Sequence, residues 1–147
     1  MKVLLIRHAH AVDQDDRIDD EARWLTAKGR ALARAVGERL RDDEIAVDAI
    51  FSSPLVRAVQ TAELVARGLK FHGLVEVVPA LAPAGSVRRA AQELDGRGDL
   101  VVAVGHEPGI SALAAHLVGR GVAAFRKGQA LLVDDGRVVY TLDPEGI

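Results

Sequence analysis

The apolar runs of this chain predict an α/β fold. The expected architecture is a three-layer α/β/α sandwich on a mostly parallel sheet, with an antiparallel hairpin at its C-terminal edge. Three observations carry the prediction. Residues 3–6 and 100–104 are unbroken apolar runs of strand length, as in strands buried on both faces. Segments with helical apolar spacing alternate with the strand candidates, as successive βαβ units require. Near the end, Asp134-Asp135-Gly136 separates two strand-like runs, 130–133 and 137–142, which is a hairpin signal.

Each element follows from local chemistry. The first strand ends in Arg7-His8-Ala9-His10. Residues 12–23 are crowded with Asp13, Asp15, Asp16, Asp19, Asp20 and Glu21, which reads as a solvated loop. Thr26 is placed to cap a helix whose stripe is Leu32, Val36 and Leu40 and which ends near Asp42-Asp43. A second strand spans 47–51. Ser52-Ser53-Pro54 then offers a serine cap with proline at the first helical position. That helix is expected to reach Arg67, stop at Gly68 and bury Val56, Val59, Ala62, Val65 and Ala66. Residues 74–78 form the third strand, 79–85 a loop, and Ser86 caps a short helix to Leu94. The strand over 100–104 ends in Gly105-His106-Glu107-Pro108-Gly109, and Ile110, Leu113, Ala114, Leu117 and Val118 mark an amphipathic helix. Residues 119–129 are expected to loop before the hairpin.

Composition narrows the function. At 147 residues, with 49% hydrophobic and 27% charged residues, the chain suits one ordinary globular domain over 1–147. A net charge of -2 leaves no basic excess for nucleic acid or a membrane surface, so any anion must be held by a local arginine cluster. The absence of cysteine excludes disulfides, zinc–thiolate sites and cysteine nucleophiles. The opening apolar run is too short for a signal peptide or a membrane span, so the expected location is the cytoplasm. Few aromatic residues, 3%, favour a monomer.

The chemistry-bearing residues gather at one edge. In a parallel sheet, strand C-termini and the following helix N-termini share an edge, where ligands sit. His8 and His106 each follow a buried strand, Arg7 ends the first strand, and Arg57 lies in the first turn after the second. A charge beside a buried strand, such as Arg7, needs a partner. Helix N-termini attract anions, and forked guanidinium donors suit phosphate oxygens. The four residues therefore describe a phosphate pocket containing a nucleophile. His72 and His116 lack that context and read as structural.

Arg7-His8-Ala9-x-Ala11, Leu25-Thr26-x-x-Gly29, Ser52-Ser53-Pro54-x-x-Arg57-Ala58-x-Gln60-Thr61 and Gly105-His106-x-Pro108, in that order, resemble the histidine phosphatase superfamily. The likeness covers nearly the whole chain. Short length, the Ala80-Leu81-Ala82-Pro83 loop and no inserted cap make it most similar to SixA-type phosphohistidine phosphatases. The resemblance implies a phosphoglycerate mutase-like fold and His8 as a nucleophile that becomes phosphorylated. It further implies that Arg7, Arg57 and a protonated His106 hold the phosphoryl oxygens, with no metal or other cofactor. Glu107, His10 and Thr26 are the remaining residues expected to touch substrate. The implied substrate is a phosphorylated histidine-containing protein of a phosphorelay, or else a small phosphorylated metabolite.

Two departures from the family pattern bear on substrate. Ala9 replaces the usual glycine, which slightly tightens the turn. Leu81-Ala82-Pro83 stands where many members carry an acid for an alkoxide leaving group. An imidazole leaving group needs less protonation, so the gap tilts the expectation toward phosphohistidine. Glu107 and Asp13 are the acids that could act from elsewhere. Two other classes compete. A metallohydrolase would use His8, His10, Asp13 and His106 as ligands. A non-catalytic phosphate- or protein-binding module would use the same pocket without turnover. An aspartate-nucleophile phosphatase built on Asp13-x-Asp15 fails, because those residues do not directly follow a strand.

Overall fold

β1 (Lys2–Arg7) is apolar on both faces, and this places it inside the sheet. In the computed structural model, which describes all 147 residues, its neighbours are β4 (Val101–Gly105), parallel, and β5 (Ala130–Asp134), antiparallel. β2 (Ala49–Ser52) extends the parallel side, then the short β3 (Val75–Val77). β6 (Arg137–Leu142) closes the other edge, giving the order β3-β2-β4-β1-β5-β6. The hairpin turn Asp135-Gly136 has positive φ at both residues, 48° and 78°, the type I′ geometry that Asp-Gly favours.

The two-residue period of the strands divides the core between two faces. Val3, Leu5, Phe51, Val101 and Ala103 pack with α3 (Val87–Leu94) and α4 (Gly109–Val118). Leu4, Ile6, Ile50, Val102 and Val104 pack with α1 (Ala27–Asp42) and α2 (Val56–Leu69). Every apolar side chain of β1 and β4 is thus buried, on alternate sides. Thr26 and Ser86 cap α1 and α3, accepting the N–H groups of Gly29 and Arg89 at 3.1 Å each. No helix is long and apolar enough to cross a membrane.

The start of α2 differs from the sequence expectation. Ser52 stays in β2, and the Ser53 N–H still donates to the Val104 carbonyl, so the chain is extended through both serines. The Ser53 hydroxyl accepts from the N–H of Leu55, and the helix begins only at Val56, beyond Pro54. The buried face is correspondingly Ala58, Ala62, Val65 and Ala66, while Val56 is exposed. Gly68 does not stop the helix. It lies within α2, which ends at Lys70 in the left-handed conformation. Gly68 instead packs against α1, where a Cβ would strike the Arg34 carbonyl and the Glu38 nitrogen. Reciprocally, a Cβ on Gly37 would strike the Val65 carbonyl. The two helices touch backbone to backbone at these glycines.

An alanine in a helix is ordinarily better than glycine by about 1 kcal/mol. At Gly37 the collision with fixed backbone outweighs this. We expect Gly37→Ala to lower stability by about 1–3 kcal/mol in urea unfolding. Gly121→Ala, where nothing lies within 4 Å, should be near neutral.

Candidate active site

The β1–β4 register assembles the site. Arg7 pairs with Gly105, so the next residues, His8 and His106, leave the sheet side by side. Their ring centroids are 5.1 Å apart and tilted by 54°. The His8 N–H donates to the Gly105 carbonyl at 3.0 Å, and Ser53 is held to Val104 on the same edge. Arg57, in the first turn of α2, completes a cluster in which His8, Arg57 and His106 are 5–6% exposed.

The state of His8 follows from its contacts. Its Nδ1 lies 2.8 Å from the Ala9 carbonyl, which can only accept, so Nδ1 carries the proton. The lone pair is therefore on Nε2. Burial, with the charges of Arg57, Arg7 and Arg23, pushes the His8 pKa down to about 4, against the opposing effect of the Ala9 hydrogen bond. The ring is neutral near pH 7. Burial lowers His106 to about 3, reinforced by His8, Arg57 and Arg7 and opposed by Asp20. His106 is thus neutral in the empty site, whereas the protonated form the resemblance implied is that of a site holding a phosphoryl anion, whose charge favours the proton. Burial among guanidiniums disfavours a third cation. Its Nε2 lies 2.7 Å from the Ser53 hydroxyl.

Both arginines are fixed by some nitrogens and bare at others. Arg7 Nη1 donates to the Phe125 carbonyl at 2.8 Å. Arg57 donates through Nη1 to the Asp20 carbonyl at 2.7 Å and through Nη2 to its carboxylate at 3.3 Å. The Nε atoms of Arg7 and Arg57, with Nδ1 of His106, are the buried side-chain nitrogens without a partner. An unpaired buried donor costs about 1–3 kcal/mol. Their concentration here marks where the acceptors of a ligand fit.

Residues outside the sequence cluster hold it in place. The Thr61 hydroxyl accepts from the Ala9 N–H at 3.1 Å and donates to the Arg57 carbonyl at 2.7 Å, tying the His8 turn to α2. Gln60 Oε1 accepts the Leu25 N–H at 2.7 Å. Gly29 lets α1 lie directly on the His10 carbonyl. Asp20 and Arg23 belong to the stretch read as a solvated loop. Yet a 3-10 turn over Asp20–Ala22 packs on α2 and supplies the partner of Arg57. The need of a buried arginine for a counter-ion was the signal that could have found it.

Of the three residues expected to touch substrate, Glu107 and Thr26 have side-chain oxygens engaged within the protein, and His10 is held by Thr26. Glu107 braces the backbone, its two oxygens accepting the N–H groups of Ser111 at 3.0 Å and Phe125 at 2.8 Å. Thr26 caps α1, and its hydroxyl lies 2.9 Å from Nδ1 of His10, which fixes that ring against the helix start. Asp13 is exposed, as are His72 and His116. The ligand set of a metallohydrolase is not assembled: nowhere do three His, Asp or Glu side chains gather at metal-binding spacing.

Comparisons with known proteins agree with this geometry. A family model of the histidine phosphatase superfamily (branch 1) matches residues 3–82. An uncharacterized protein of Picosynechococcus sp. is 33% identical over 118 residues, covering 78% of this chain and 71% of the relative. Phosphohistidine phosphatase SixA of Escherichia coli K12 is 31% identical over 121 residues, covering 80% and 74%. A solved structure of the protein histidine phosphatase SixA complexed with tungstate superposes with a TM-score of 0.89 at 25% identity, covering 99% of each chain. With its motifs folded into one site and its fold shared, the chain belongs to the histidine phosphatase superfamily, as a phosphatase of the SixA type.

Proposed function

We propose that this protein removes phosphate from a phosphorylated histidine of a phosphorelay protein, through a phospho-His8 intermediate and without a metal. The observation that carries the reading is the neutral, Nδ1-protonated His8 beside unpaired nitrogens of Arg7, Arg57 and His106. His8 Nε2 attacks phosphorus, the N–P bond of a substrate protonated on its other ring nitrogen breaks, and the electron pair stays on the departing imidazole, which leaves neutral. Water then attacks phosphorus, the bond to His8 Nε2 breaks with its electron pair returning to the Nδ1-protonated ring, and both protons of the water leave with the phosphate as dihydrogen phosphate. Through both steps the guanidiniums of Arg7 and Arg57 offset charge on the equatorial oxygens. Nδ1 of His106 has no partner within the protein and, when it carries a proton, can donate to a phosphoryl oxygen, while Nε2 is held 2.7 Å from the Ser53 hydroxyl.

The wall beside His106 favours imidazole as the leaving group. The crevice there is lined by Ala80, Leu81, Ala82 and Gly85, without a carboxylate. The acids named from the sequence do not replace one, since Glu107 is engaged and Asp13 is exposed. General acid catalysis contributes about 10²–10⁴-fold, so an alkoxide leaves at that disadvantage. An imidazole does not, because its conjugate acid titrates near pH 6.5.

Three measurements test the proposal. A phosphorylated histidine-containing phosphotransfer domain should lose phosphate about 10²–10⁴-fold faster than a phosphoserine peptide. Comparable rates would overturn the substrate class. His8→Ala should cost at least about 10⁴-fold and Arg57→Ala about 10²–10³-fold, with a strong chelator leaving the wild type unchanged. Loss of activity in chelator, restored by zinc or manganese, would sink the metal-free mechanism.

The third is pH dependence. His8 must be neutral to attack, so kcat/KM should hold down to about pH 5 and fall through its folded pKa of about 4. For stability, the folded values of about 4 and about 3 lie below the ordinary 6.5, so the unfolded chain takes up protons first. The contribution of both histidines is present above pH 6.5 and declines as pH drops from there toward about 4 for His8 and about 3 for His106. His8→Gln should flatten that slope in urea unfolding.

A further inference from the structure

We infer that Asp20 is a positioning residue of this site: by bridging Arg23 and Arg57 it fixes the Arg57 guanidinium and leaves its Nε unpaired for the phosphoryl group. The inference rests on the phosphoryl-binding role of Arg57 given above.

The contacts are specific. One carboxylate oxygen of Asp20 accepts from Arg23 Nη1 at 3.0 Å, the other from Arg57 Nη2 at 3.3 Å, and its carbonyl accepts from Arg57 Nη1 at 2.7 Å. Both terminal nitrogens of Arg57 are therefore held from one residue. Arg23 is anchored in turn, since its Nε donates to the Val12 carbonyl at 2.7 Å. The Arg57 side chain is 6% exposed and that of Asp20 44%, so the carboxylate clamps the arginine from the solvent side. An arginine side chain is rotamer-rich, and one already frozen in the empty site loses less freedom when phosphate arrives. A misplacement of about 1 Å in such a group can cost on the order of 10²-fold in rate.

Two other roles fit less well. As a general acid Asp20 would need a proton, but the hydrogen bond from Arg23 holds its carboxyl below the usual range. The same stabilisation makes it a weak base. As an internal competitor for phosphate it would have to occupy the atoms a substrate needs, whereas the Nε it leaves free is the buried, unpaired one. Asp20 also opposes the lowering of the His106 pKa, so its charge is felt across the site.

The test is a double-mutant cycle with two readouts. Asp20→Ala should lower kcat/KM on the phosphohistidine domain by about 10–10²-fold and weaken tungstate binding, measured by calorimetry, by about tenfold. In an Arg57→Gln background, Asp20→Ala should cost less than about threefold in either readout, because Asp20 acts through Arg57. Asp20→Asn, which keeps a hydrogen-bond acceptor, should lie between wild type and Asp20→Ala. Equal losses in both backgrounds would mean a merely structural turn and overturn the inference. Tighter tungstate binding with faster turnover in Asp20→Asn would also overturn it, identifying a competitor. Should the wild type act on no phosphohistidine, the tungstate cycle still decides Asp20, because it needs no turnover.

Discussion

The register between β1 and β4 is the constraint on which the rest depends. Five successive pairs, Val3 with Val101 through Arg7 with Gly105, fix where each strand ends. A slip of one residue would turn each apolar side chain to the opposite face and carry His8 out of reach of His106. That slip is strongly opposed because both faces are buried, with Leu4 and Ile6 matched to one pair of helices and Val3 and Leu5 to the other. The chemistry thus inherits its precision from the most buried part of the chain. Residues a hundred positions apart meet because the strands that carry them are neighbours.

Once assembled, the site is electrostatically one-sided. Arg7, Arg57 and Arg23 all disfavour a proton on His8, and Asp20 is the carboxylate that acts against this at His106. Two neutral histidines among guanidiniums form a site ready for a dianion rather than one already balanced. The buried, unpaired Nε atoms of Arg7 and Arg57 express the same condition in hydrogen bonds. Burial contributes most at both histidines. The packing that holds the strands in register is therefore also what keeps His8 unprotonated.

The sheet, its helices and the four converging residues were legible because they depend on period and on order along the chain. Apolar runs at 3–6 and 100–104 announce buried strands, and a histidine after each announces the edge. What escaped depends on contacts between distant segments. Ser52-Ser53-Pro54 has the composition of a helix start, yet pairing with Val104 keeps it extended until Val56. Gly68 has the composition of a helix stop, but contact with α1 demands glycine there for closeness rather than for conformational freedom. The Thr26 cap was legible, but nothing local announces that Glu107 accepts the Phe125 N–H or that Thr26 also holds His10. Asp20 was lost in a run of acids that all look alike until Arg57 needs one of them.

The lowered pKa of His8 bears differently on the two halves of the proposed reaction. In the first, phosphoryl passes from one imidazole to another, so an N–P bond is exchanged for an N–P bond and no acid is needed. A ring with pKa about 4 is a weaker base than an ordinary imidazole near 6.5, and to that extent a weaker nucleophile. Positioning compensates, since the Ala9 carbonyl and the Thr61 hydroxyl hold the His8 turn and present Nε2 without rearrangement. In the second half the weakness becomes an advantage. A less basic imidazole is a better leaving group, so water would displace the proposed phosphoryl group from it more readily. Burial of one histidine thus acts in opposite senses on the two steps of the proposed reaction, weakening attack and easing departure.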